Sequence, residues 1–290
     1  MTRRHPTRRA SLAIAGLVAV TVLAGCGSSS DDSSSDTTAA AGADACATLP
    51  LKKDGTLTIA TGDEVYPPWV EDEDPASGKG FESAVAYAVA DELGIDDVAW
   101  TSTTFDGAIT PGDKDYDFNL QQYSITDERE EVVDFSRGYY DVQQAIIAPE
   151  GSSISGAKTL ADLKDAKLGA AIGTTSLNYA EDVIDPSDEV QVFDSNADAK
   201  AAFDAGHLDG LVLDLPTAYY VTAVEIEGSE IVGTLPTIGE TEEFGLLFEK
   251  GSPLVPCVNE ALDALDAAGT LDALREEWLS QGGDIPALTE

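Results

Sequence analysis

The chain has 290 residues, with 16 basic and 54 acidic side chains and a formal net charge of −38. A charge of that sign and size opposes any polyphosphate surface, which excludes nucleic-acid binding. Beyond the first 26 residues only Cys46, Cys257 and His207 remain, fewer than the four ligands of a structural zinc site, so neither a metal nor a cofactor is expected.

The first 25 residues read as a leader rather than as part of a fold. Arg3, Arg4, Arg8 and Arg9 precede Leu12–Leu23, an apolar run too short to cross a bilayer comfortably. The run ends in Leu23-Ala24-Gly25-Cys26, the box cut by lipoprotein signal peptidase. Cys26 is therefore predicted to become a lipid-bearing N-terminus on the extracytoplasmic face of a cell membrane. An ordinary secretory signal with an incidental cysteine is the alternative, and Arg8-Arg9 leaves twin-arginine export open. Residues 26–45 carry Ser, Asp, Thr, Ala and Gly and no large apolar side chain, which predicts a flexible tether. Without the four leader arginines, 12 basic residues face 54 acidic ones, a charge of −42.

Cys46 and Cys257 are an even pair in an exported chain. They predict a disulfide that staples the start of the fold to a segment near its end; two buried free thiols are the alternative. Between them, β-rich runs alternate with helical patterns. Thr56–Ala60 reads as a strand. Phe81–Leu93 reads as a helix with Phe81, Val85, Val89 and Leu93 on one face. Val98–Thr101, Asp117–Leu120 and Val142–Ala148 read as further strands, and Thr159 as the cap of a short helix.

A second series begins with a strand over Lys167–Ile172, a Gly173-Thr174-Thr175 turn and a helix over Ser176–Val183. Strands follow at Val190–Phe193, Asp209–Leu213, Ile231–Thr234 and Phe244–Phe248. Helices are predicted over Ser195–Ala205, Leu215–Val224, Leu254–Ala268 and Leu271–Leu279, the last capped by Thr270. This alternation predicts an α/β architecture with mainly parallel sheets. If the two cysteines meet, both ends of the chain lie in one lobe: residues 46–143 plus 240–290 form lobe 1 and residues 144–239 lobe 2. A clamp of that kind, with a two-segment hinge, places a cleft at the carboxyl ends of its strands.

Arg129 stands out in that frame. Only Arg129, Arg137 and Arg275 remain beyond the leader, and a guanidinium grips a carboxylate through two parallel hydrogen bonds. It lies within Ser124-Ile125-Thr126-x-x-Arg129, ahead of Phe135-Ser136. In chain order the sequence also holds Tyr66-Pro67-Pro68-Trp69, Gly80-Phe81-Glu82, Phe105-Asp106, Gly173-Thr174-Thr175, and Gly206-x-x-Asp209 before Asp214. Taken together over residues 57–279, these motifs resemble the extracellular amino-acid-binding proteins of ABC importers, solute-binding protein family 3.

The resemblance implies a two-lobed periplasmic-binding-protein fold of type II. It implies that Arg129 takes the α-carboxylate of an amino acid, helped by the N–H groups of Ser124 and Thr175 in a turn that Thr174 shares. Asp214 would receive the α-ammonium, with Asp63 near the ligand's side chain and Tyr66 and Phe105 sandwiching its aliphatic part. Pairing of Arg129 with Glu128 or Glu130, a helix-capping role for Asp214, and core packing of Tyr66 and Phe105 are the alternatives.

The sequence departs from the family twice. It reads Glu82-Ser83-Ala84 where many members repeat an aspartate, and Gln121-Gln122 where small hydroxyl residues are usual. Gln122 becomes a candidate acceptor for the ammonium. The implied function is a monomeric, lipid-anchored receptor for a free polar amino acid that serves ABC permease subunits, without catalysis. An arogenate-dehydratase-like enzyme and a signalling receptor are the other readings. No Ser-His-Asp set or H-E-x-x-H motif is present, and His207 lies in a turn.

Overall fold

The computed structural model describes Cys46, residues 48–280 and residues 285–290. The predicted leader, the lipidation site Cys26 and the tether lie outside the described residues.

The elements in chain order are β1 (Thr56–Gly62), α1 (Phe81–Glu92), β2 (Asp97–Thr103), α2 (Phe105–Ile109), β3 (Phe118–Asn119), α3 (Asp127–Glu130) and β4 (Val133–Val142). Then come β5 (Gln144–Pro149), β6 (Leu168–Ala171), α4 (Thr175–Asn178), β7 (Gln191–Phe193), α5 (Asn196–Asp204) and β8 (Gly210–Asp214). The chain ends with α6 (Leu215–Tyr220), β9 (Ser229–Thr234), β10 (Glu242–Glu249), α7 (Val255–Ala267) and α8 (Thr270–Leu279).

They build two five-stranded sheets with matching orders, β2-β1-β3-β10-β4 and β7-β6-β8-β5-β9. The expectation of mainly parallel sheets needs correcting. In each sheet two neighbouring pairs are parallel and two antiparallel. The cause is topological. The chain leaves the first sheet on β4 and re-enters it on β10, so these strands traverse one junction in opposite directions and must pair antiparallel. The same holds for β5 and β9 in the second sheet.

Local sequence explains the elements near the cleft. In α1, Phe81, Val85 and Val89 are fully buried at a spacing of four, as an amphipathic stripe requires. The helix starts after Gly80, whose φ is +93° and where a Cβ would meet the Trp69 carbonyl oxygen at 2.5 Å; only glycine fits there. Ser195 caps α5 by accepting from the Asp198 N–H at 3.1 Å. Thr270 is the first residue of α8 rather than its cap, because Gly269 takes the left-handed cap position. The helices predicted from Ser176 and Leu215 each start as α and loosen into wider turns over Tyr179–Ile184 and Val221–Glu225.

The first core gathers Leu57, Ile59, Phe81, Phe118, Phe244, Phe248 and Leu262, with Trp69 packed against Phe81, Tyr140 and Phe244. The second sheet is covered on both faces, by a cluster around Ile146, Leu168 and Val212 and another around Ala145, Leu211 and Leu213. Cys46 and Cys257 are bonded, with their Cα atoms 5.5 Å apart, closing a sequence separation of 211 residues.

The last residues depart from the expectation that all of 240–290 belongs with the first lobe. Thr234 N–H donates to the Pro286 carbonyl at 3.0 Å, Leu288 N–H donates to the Thr234 carbonyl at 2.9 Å, and Leu288 is buried in the second core. They pair along β9, an edge strand whose free backbone groups would otherwise face solvent.

Candidate functional site: a cleft between the two sheets

One cavity of about 270 Å³ lies between the two sheets at the carboxyl ends of their parallel strands. Asp63 follows β1, Phe105 follows β2, Gln122, Ser124 and Arg129 follow β3, Thr174 and Thr175 follow β6, and Asp214 ends β8. These and Tyr66, the nine ligand-site residues named from the sequence, all line this cavity.

Arg129 is 7% exposed and pairs with neither neighbouring glutamate. Its two terminal nitrogens donate to the Ser124 carbonyl at 2.6 Å and the Gly173 carbonyl at 2.9 Å, one group from each lobe. The Thr126 side chain caps α3 by accepting from the Arg129 N–H at 3.3 Å, which fixes the arginine's backbone. The guanidinium carbon lies 5.4 Å from the centroid of the Phe105 ring, and that ring stacks on Tyr123 at 4.6 Å. Burial lowers the pKa of the guanidinium, while Tyr123, Glu242 and Asp214 act in the opposite sense. Gly173 has a φ of +72°, a left-handed backbone that favours glycine.

Asp214 occupies the cap position of α6 but makes no side-chain cap bond. Its carboxylate accepts instead from Gln144 Nε2 at 2.7 Å. Burial, and next the nearby Glu242, push its pKa up to about 7. Asp63 is exposed on the rim. Tyr66 receives a hydrogen bond from Asn196 Nδ2 at 3.5 Å and has Lys200 Nζ 5.0 Å from its ring centroid. Burial raises the pKa of its phenol. Below this cleft, Trp69 Nε1 donates to Thr217 Oγ1 at 3.0 Å, a buried bond between the lobes.

Sequence reasoning missed a polar hub at the two chain crossings. The Glu242 carboxylate accepts from the hydroxyls of Ser124 and Thr175. Gln144 Oε1 accepts from Ser176 Oγ at 2.6 Å. Nothing in the sequence separates Glu242 from exposed Glu240 or Glu243. A second miss is Glu82, named only as a departure from a motif. It is 1% exposed and accepts from Tyr139 Oη at 2.6 Å, from Gln122 N at 2.7 Å and from Gln122 Nε2. Burial pushes its pKa up to about 7.

Among the described residues, no group of three or more His, Cys, Asp and Glu side chains could hold a metal ion. His207 is exposed in its turn. The cleft therefore offers a buried cation, a half-buried acid and hydrogen-bonding side chains, a set suited to holding a small polar molecule.

The chain is similar to several known proteins. The L-arginine-binding protein of Pseudomonas aeruginosa is 31% identical over 226 residues, 74% of this chain and 85% of its own length. The L-cystine-binding protein TcyJ of Escherichia coli is 28% identical over 278 residues, 94% of this chain and 96% of its own. Among solved structures, an ancestral arginine-binding protein bound to glutamine superposes with a TM-score of 0.67 at 32% identity. It covers 79% of this chain and 100% of its own. The profile of the bacterial extracellular solute-binding proteins, family 3, matches residues 57–281. With two matching sheets around a polar cleft and this profile along most of its length, the chain belongs to the bacterial extracellular solute-binding proteins of family 3.

Proposed function

We propose that the protein is the lipid-anchored receptor of an ABC importer, binding a polar amino acid in the cleft and closing its lobes upon it. One observation carries this reading: a buried guanidinium, Arg129, and a half-buried carboxyl, Asp214, line one cavity from different lobes. A zwitterion is the small molecule that satisfies both at once. Arg129 takes the α-carboxylate through the guanidinium donors not turned to carbonyls, with the peptide N–H groups of Ser124 and Thr175 beside it and Thr174 holding their turn. Asp214 takes the ammonium, with Gln122 as a further acceptor. Tyr66 and Phe105 flank the aliphatic part, and Asp63 stands at the outer end.

A ligand held from both lobes favours the closed clamp, so binding shifts the hinge population without any catalytic step. Cys26 supplies the lipid anchor, and ABC permease subunits receive the closed, monomeric form. Residues 46–143 with most of 240–290 form one lobe and residues 144–239 the other. The arginine, cystine and glutamine named for the relatives support an amino acid as the ligand class.

Calorimetric titration with the twenty common amino acids, cystine and ornithine tests the reading. At least one is expected to bind, with affinity lost in Arg129→Ala. If none binds, or if Arg129→Ala binds as the wild type does, the reading is wrong.

A further inference from the structure

Gln121 and Gln122 are adjacent, both line the cavity, and their amides are fixed in opposite senses. The oxygen of Gln121 is claimed by Tyr123 Oη at 2.9 Å. Its Nε2 lies over Gly62, where a Cβ would meet it at 2.6 Å. Gln122 is held the other way round. Both its backbone N–H and its side-chain NH2 donate to the Glu82 carboxylate.

A carboxylate only accepts hydrogen bonds, so the Gln122 amide has to turn its nitrogen toward Glu82 and its oxygen away. Tyr139 Oη adds a third donor to the same carboxylate. Gln122 also has a φ of +52°, a left-handed backbone that a non-glycine residue keeps only where its surroundings hold it. The double grip of Glu82 on its backbone and side chain supplies that hold.

We infer that Glu82 is a positioning residue for the ligand's ammonium group: by claiming both donors of Gln122 it presents the Gln122 amide oxygen to the cleft as an acceptor beside Asp214. The inference rests on the zwitterion reading and adds to it a buried residue that does not itself touch the ligand. It gives the ammonium site a second acceptor beside Asp214, a neutral oxygen whose orientation is set by a charge one layer deeper. In a Glu82→Gln variant the new amide can donate to Gln122 and let it flip, turning an NH2 group toward the ammonium.

The test compares amino acids with partners that lack only the α-ammonium: L-glutamine with glutaramate, and L-arginine with 5-guanidinovalerate. All four are titrated into the full chain. The wild type is expected to prefer the amino acid of at least one pair. Glu82→Gln is expected to lose that preference by about tenfold or more while holding the deamino acid nearly as before. Adding Gln122→Glu to Glu82→Gln restores an outward oxygen and is expected to recover the preference.

Gln122→Met, which leaves Glu82 in place, is expected to lose the preference as well, and serves if Glu82→Gln does not fold. A preference within twofold of wild type in folded Glu82→Gln or in Gln122→Met overturns the inference, as does an equal loss for both members of a pair. If the wild type binds none of the amino acids tested for the proposed function, the zwitterion reading falls, and this inference with it.

Discussion

Gln144 and Glu242 are the first residues of the two strands that carry the chain between the sheets, and they touch: Gln144 Nε2 lies 3.3 Å from Glu242 Oε2. The contact ties both crossings to the cleft wall. Gln144 also holds Asp214, and Glu242 also holds Ser124 of the first lobe and Thr175 of the second.

Replacing Glu242 with alanine strands those hydroxyls and frees the two crossings from one another. Ligand affinity is expected to fall by about tenfold, a loss typical of a hydrogen bond to a charged group. The radius of gyration measured by small-angle scattering is expected to rise toward an open form. An unchanged radius and affinity would mean that Glu242 does not tie the lobes together.

Arg129→Ala removes the cation that the proposed ligand carboxylate needs, and is expected to cost about 2–5 kcal/mol of binding free energy by calorimetry. Arg129→Lys is expected to restore little, because an ammonium cannot hold the Ser124 and Gly173 carbonyls and a carboxylate in one plane.

Glu82 and Asp214 are both pushed up to about pH 7 by burial. A carboxyl whose folded value exceeds its unfolded value binds protons more tightly when folded. Its burial penalty is absent below the unfolded value and fully present above the folded one. Thermal stability is therefore expected to rise as the pH falls from about 8 to about 5 through these two groups. Calorimetric melts of the wild type and of Asp214→Asn, which removes one of them, measure the effect.

Affinity for an amino acid is expected to move the other way. An ammonium ligand requires the ionised Asp214, so binding takes place at the expense of a proton below pH 7. Each unit below that value costs up to about tenfold for one titrating group. Titrations at several pH values check the slope, and Asp214→Asn is expected to flatten it.

The disulfide closes a loop of 211 residues in sequence separation. Cys257→Ser is expected to lower stability by about 2–5 kcal/mol, read from denaturant midpoints. The ligand cleft lies away from the bond, so affinity in the folded variant is expected to stay close to wild type.

Much of the cleft was legible because its residues sit in motifs at strand ends. The turn at Gly173 and the acid at Asp214 follow short apolar runs that punctuate themselves clearly. The strand β4 was not legible, because Asp134, Ser136, Arg137 and Asp141 interrupt its apolar residues. Its pairing comes from β10, more than a hundred residues later, so no local pattern reveals it. Glu82 and Glu242 were invisible for a different reason. In a chain with 54 acidic residues, a buried carboxylate with three donors looks like any surface glutamate until the fold assembles its partners.

The pairing of Leu288 with Thr234 bears on how far the lobes can swing. Leu271 in α8 is buried in the first core, while the chain's last residues are bonded to the second sheet. The lobes are thus joined by three tethers rather than two. A pair of adjacent crossings permits both bending and twisting, and the bonds of the last residues to β9 are expected to restrain the twist. A tag fused after Glu290 would load that third tether directly, whereas one placed ahead of Cys46 would leave the swing untouched.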